Sequence, residues 1–91
     1  MTAEIRVHPS ACKHGLTAEE AEGLWSVGIE DTWLDDRDPT RLLRVALDEA
    51  GRPWELVALV FDSGDSGDRH LVIHAMPLRK STTELLRRRN S

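Results

Sequence analysis

Residues 54–61, WELVALVF, are apolar on both sides of an extended backbone, with Glu55 the one charge among them. A strand turns alternate side chains to opposite faces, so a run like this has no face to give to water. It belongs in the middle of a sheet, and the rest of the chain must supply its neighbours. RLLRVALDE, residues 41–49, is one: Leu43, Val45 and Leu47 share one face, and Leu42, Arg44 and Ala46 share the other. RHLVIHAMPL, residues 69–78, is the second, with His70, Val72, His74 and Met76 on one face, Leu71, Ile73 and Ala75 on the other, and Pro77 to stop the ladder. AGRP before the central run and SGDSGD after it supply the turns.

Helices are expected at both ends. Pro9 can begin a helical turn and Gly15 can end it. In LTAEEAEGLWSVG, Thr17 is an N-cap, Glu20 closes a capping box and Leu16 with Ala21 forms a hydrophobic staple. Ala18, Ala21, Leu24 and Trp25 then recur at helical spacing until Gly28 ends the helix. Near the other end Ser81 and Glu84 form a second capping box, followed by Leu85 and Leu86. EIRV and IEDTW read as short extended pieces, the latter running into an acidic turn at Asp38-Pro39. The expected fold is one α+β domain over residues 1–91, a small antiparallel sheet of three to four strands with an N-terminal helical segment and a short C-terminal helix on one face.

Ninety-one residues support one core and no deep cleft between lobes. MTAEIRVHPS holds no apolar leader and no stretch approaches the length of a membrane span, so a soluble cytoplasmic protein is expected. Cys12 is the lone cysteine, which suits a reducing compartment. The net charge of −4 argues against a nucleic-acid partner, but the average conceals an asymmetry. Residues 1–68 carry six basic and 15 acidic side chains, whereas residues 69–91 carry six basic and one acidic. A basic contact surface towards the C-terminal end is one reading of that polarity, and a solvated basic helix is the other.

The tetrapeptide GDSG at 64–67 matches the nucleophile motif of trypsin-like proteases, but this chain is too short for the two barrels that chemistry needs. Asp62, Asp65 and Asp68 are three apart, where a calcium loop wants ligands two apart. The four histidines show no zinc spacing, so no metal is expected. If His70 and His74 share a face and Arg44 joins them from the neighbouring strand, two imidazoles and a guanidinium lie together, flanked by Arg79 and Lys80. Phosphodiester cleavage uses such a set: a base for the ribose 2′-hydroxyl, cations for the phosphorane and an acid for the leaving 5′-oxygen. Imidazole titrates near neutrality, and the guanidinium fork matches phosphate oxygens. Partly exposed histidines on a solvent-facing sheet are the plainer alternative. Glu55 is a possible base, with a solvated edge carboxylate as its plainer reading.

KHGLTAEEAEGLW, RLLRVALDEAGRPWELVALVF and VIHAMPLRK together resemble the BrnT-like toxins of the RelE-like group of bacterial toxin–antitoxin systems, over roughly residues 5 to 87. The most specific elements are Lys13-His14-Gly15 with the helix that follows, Arg41 at the head of the middle strand, and the closing strand running into a charged helix. The resemblance implies a ribonuclease that cuts RNA without metal or cofactor and is neutralised by a cognate antitoxin. It implies DNA operator contact only through that antitoxin, and no membrane association. His74, Arg79 and Arg44 are then the expected catalytic groups, and Lys13, His14, His70 and Lys80 the expected RNA contacts. Two features depart from the family pattern: Met76 stands where an arginine is usual, and the chain is acidic. They support an alternative, a non-catalytic binding module that acts through complex formation and regulation.

Overall fold

The computed structural model describes residues 4–62 and 67–90. Most of the GDSG tetrapeptide, and Asp65 with it, lies outside them. The order is β1 (Glu4–Val7), a 3-10 turn (Pro9–Cys12), α1 (Ala18–Ser26), β2 (Glu30–Trp33), β3 (Thr40–Leu47), β4 (Pro53–Asp62), β5 (Asp68–Pro77) and α2 (Lys80–Asn90). The strands form one sheet in the order β1-β5-β4-β3-β2, so the doubly apolar run does occupy the centre.

Two expectations about the sheet need correction. It has five strands and is mixed, because β1 pairs parallel with β5 while the other three pairings are antiparallel. Four residues are too few for EIRV to show a period, and nothing in them announces a partner at the far end of the chain. The helices also lie on opposite faces rather than together. Leu24 and Trp25 of α1, with Ala11 of the 3-10 turn, pack on Leu42, Ala46, Leu56, Ala58, Val60, Val72 and Ala75. Leu85 and Leu86 of α2 pack on Leu43, Val45 and Val57. A central strand apolar on both faces requires this, since each face must be covered by something.

Local chemistry sets the boundaries. The Thr17–Glu20 capping box forms reciprocally, with Glu20 N–H donating to Thr17 Oγ1 at 3.1 Å and Thr17 N–H donating to Glu20 Oε1 at 2.9 Å. The β3–β4 turn is held by Asp48, whose Oδ1 accepts from the Ala50 and Arg52 amides, each at 2.9 Å. Its Oδ2 accepts from Trp54 Nε1 at 3.0 Å. Gly51 sits there at φ 78°, a left-handed conformation that a side chain would strain. α2 starts at Lys80, one residue ahead of the expected cap Ser81. Thr82 and Thr83 of its first turn donate elsewhere, to Glu55 and to the Arg79 carbonyl.

β5 carries the feature that places the site. Its ladder with β4 runs Val60↔His70 and Ala58↔Val72, then resumes at Val57↔His74, leaving Ile73 as an unopposed extra residue. This is a β-bulge, and it reverses the alternation of every residue after it. His70 and Val72 face α1, whereas His74 and Met76 face α2. The preceding segment holds the bulge: His8 N–H donates to the Val72 carbonyl at 2.8 Å and Ser10 Oγ donates to the Ile73 carbonyl at 2.6 Å.

Candidate active site

Glu55 lies at the start of β4 on the α2 face and is 1% exposed, so the expectation of a solvated edge carboxylate is overturned. A carboxylate taken from water must recover its hydrogen bonds from the protein. Oε1 accepts from Arg79 N–H at 3.0 Å, Arg79 Nε at 3.1 Å and Thr82 Oγ1 at 2.6 Å. Oε2 accepts from Arg79 Nη2 at 2.8 Å and lies 3.1 Å from His74 Nε2. Burial alone pushes the Glu55 carboxyl up. The Arg79 guanidinium, the Thr82 hydroxyl, the Arg79 amide and the His74 ring together outweigh it and bring the group down to about 2.

That ionised carboxylate determines the state of His74. It can only accept, so the ring nitrogen facing it carries the hydrogen, and in the neutral imidazole the lone pair sits on Nδ1. The His74 side chain is 30% exposed, partly open to solvent. His14 meets it edge-on, with ring centroids 6.5 Å apart and planes at 74°. Gly15, at φ 97°, lets the chain turn away immediately after His14.

Arg79 is the cation of the site. Glu55 takes its Nε and Nη2, which raises its already high pKa and leaves Nη1 as the guanidinium nitrogen not directed at the carboxylate. The side chain is 53% exposed, so the fork is anchored at one edge and accessible at the other. Together Glu55, His74, Arg79 and Thr82 line a concave site of about 350 Å³ beside α2, floored by Leu43 and Val57 and bordered by Arg41. Arg41 is oriented by Asp35 at 2.8 Å. The Arg41 side chain is the main cause that holds Asp35 down at about 2, with the Arg41 amide, Thr40 and Arg37 adding to it against a burial effect. Lys13 and Lys80 are exposed, each one residue from a member of the group.

Two expected members are elsewhere, and the bulge is the reason for one of them. His70 precedes it and faces α1, where its Nδ1 accepts from Trp25 Nε1 at 3.0 Å. Arg44 lies on that same α1 face, so the predicted surface of His70, His74 and Arg44 does not form. Arg44 donates through Nε and Nη2 to Asp31 at 2.6 and 2.9 Å, and through Nη1 to the Trp25 carbonyl at 2.7 Å. Its guanidinium carbon stands 4.2 Å over the Trp25 ring. Gly28 leaves room for this, since a Cβ there would collide with the Arg44 side chain. These contacts describe a clamp between α1, β2 and β3.

Thr82 was not singled out from the sequence, Glu55 was read only as a possible base, and Arg41 was not placed in one site with His74. The available signal was a charge inside a strand apolar on both faces, which demands a buried partner. Among the described residues, no group of three His, Cys, Asp or Glu side chains is arranged to hold a metal ion, and no helix is long and apolar enough to cross a membrane. No known family, curated protein or solved structure matches the chain.

Proposed function

We propose that this protein is the toxin of a toxin–antitoxin pair, a BrnT-like member of the RelE-like group that cleaves RNA in the cytoplasm by metal-independent acid–base chemistry. The observation that carries this reading is the pair of imidazoles with ring centroids 6.5 Å apart, one of them anchored together with an arginine on one buried carboxylate. His74 Nδ1 removes the proton from a ribose 2′-hydroxyl as that oxygen bonds to phosphorus. His14, protonated, gives its proton to the departing 5′-oxygen, so the products are a 2′,3′-cyclic phosphate and a 5′-hydroxyl. Arg79 Nη1 neutralises the phosphorane, the exposed Lys80 and Lys13 bind flanking phosphates, and Glu55 positions both His74 and Arg79. The missing arginine at Met76 has a replacement in this scheme. Residue 76 is opposite Glu55 in the ladder, and Arg79 brings its guanidinium to that same carboxylate.

The test is cleavage of a single-stranded RNA oligonucleotide by the purified protein in chelator, with end-group analysis, alongside growth of bacteria carrying an inducible copy. Cyclic-phosphate ends are expected. His74→Ala and His14→Ala are each expected to lower the rate by about 10²–10⁴-fold with the circular dichroism spectrum unchanged. Folded natural protein that neither cuts RNA nor arrests growth overturns the proposal. That result favours the binding-module reading, which the engagement of two of the three Arg79 side-chain nitrogens by Glu55 supports.

A further inference from the structure

Among the described residues the exposed large apolar side chains flank β2, with Val27, Ile29 and Leu47 towards its start and Trp33 at its end. Val27, Ile29, Trp33 and Leu47 are between 44% and 64% exposed. The first three lie within or just before β2, and Leu47 ends β3, the strand on which β2 pairs. β2 terminates the sheet, so among the described residues its outer edge has no neighbouring strand. Leu34 N–H bonds the Arg41 carbonyl, and by alternation along an antiparallel ladder Asp31 and Trp33 turn their own N–H and C=O groups outward. One outward group is engaged: the Trp33 carbonyl accepts from Arg89 Nη1 of α2 at 2.9 Å. A bare edge bordered by exposed apolar side chains is what native sheets ordinarily cover or charge.

Residues 30–38 carry five carboxylates and one arginine. Arg44 and Arg41 reach two of the carboxylates, Asp31 and Asp35, from β3, while Asp36 and Asp38 are exposed beyond the end of β2. We infer that β2 is a docking edge for an extended, basic segment of a partner protein, which adds a sixth strand and places an apolar side chain against Trp33. Main-chain bonds to Asp31 and Trp33 supply register, and the carboxylates select a basic partner. A second copy of this chain fits less well, because its own β2, EDTW, has no basic residue to offer. The inference is independent of RNA cleavage, since β3 and β4 separate this edge from β5 and the imidazole pair.

The test uses two synthetic probes, an octapeptide alternating Arg with Val and one alternating Glu with Val, added at up to millimolar concentration to the full chain. Amide hydrogen exchange and ¹⁵N chemical shifts are read by NMR. The Arg–Val peptide is expected to slow exchange at the Asp31 and Trp33 amides and the Glu–Val peptide to do nothing. Trp33→Pro removes an outward N–H without touching the β3 ladder and is expected to abolish the response. The double substitution Asp36→Lys with Asp38→Lys, which leaves the edge backbone intact, is expected to weaken binding by about tenfold. No protection by the Arg–Val peptide, equal protection by the Glu–Val peptide, or protection that grows with protein concentration alone each overturns the inference; the last points to a second copy as the occupant.

Discussion

Glu55 is the residue on which the site depends, and its behaviour follows from being charged and 1% exposed. Glu55→Gln puts an amide, half donor, against the donors of Arg79 and Thr82. It is expected to cost about 1–3 kcal/mol of stability, the range for a buried hydrogen-bonding group left mismatched, read as a lower urea midpoint. Acid does the same by titration. The carboxyl ordinarily titrates at 4.5 and sits at about 2 here, so its contribution is complete above pH 4.5 and is lost as pH falls through about 2. His70 acts earlier. Burial lowers its pKa first and the Arg44 charge adds to that, against weaker opposite pulls from Asp68 and Asp31. Its protonation also ends the Trp25 Nε1 hydrogen bond to Nδ1. A depressed folded-state value means that its contribution is present above pH 6.5 and lost as pH falls through that lowered value. Urea unfolding between pH 7 and pH 5 is therefore expected to show a loss of stability that His70→Gln removes, because glutamine offers Trp25 an acceptor that does not titrate. A decline of the same size in His70→Gln refutes the assignment.

At the scale of elements, the bulge in β5 separates a strand that packs from a strand that presents chemistry. Ile73 is the unopposed residue, and Val72 and His74 oppose adjacent partners in β4. Deleting Ile73 is thus expected to restore a regular ladder and leave His74 on Glu55, with the His74 ring ¹⁵N shifts and the RNA cleavage rate within a few-fold of the natural chain. Loss of the Glu55 contact in the deletion variant counts against this account. The same bulge explains which parts of the molecule were legible in the sequence. Strands β3, β4 and β5 and helix α1 were, because strict alternation, a doubly apolar run and a capping box each have one structural reading. Arg79 and His14 were also reached, through the basic run and the KHG motif. The shared face of His70 and His74 was not, since HLVIHAM alternates without a flaw and a bulge adds one residue without changing any residue type. The parallel β1–β5 pairing was hidden for a different reason: a four-residue strand carries almost no period, and its partner is remote.

Over the whole molecule, charge is divided between a strongly acidic first three-quarters and a basic remainder, and the concave site stands near that division, with Glu55 from one side and Arg79 from the other. On the proposed function, phosphate binding by the basic part would release counterions, so the affinity for single-stranded RNA is expected to fall with salt. Lys80→Ala is expected to reduce the log–log slope by about 0.7, measured by fluorescence anisotropy across a salt series, and an unchanged slope removes Lys80 from the contact surface. The parallel pairing of the first and fifth strands also has a consequence for how the molecule comes into being. Ser10 and the carbonyl it holds are 63 positions apart, and the His14–His74 pair is almost as remote. During synthesis the first strand emerges long before the strand that will receive it, and no nascent chain that stops short of Arg79 contains the anchored guanidinium at all. A nascent chain that stops at residue 68 therefore lacks both His74 and Arg79, and the site assembles only once β5 and the start of α2 have been made.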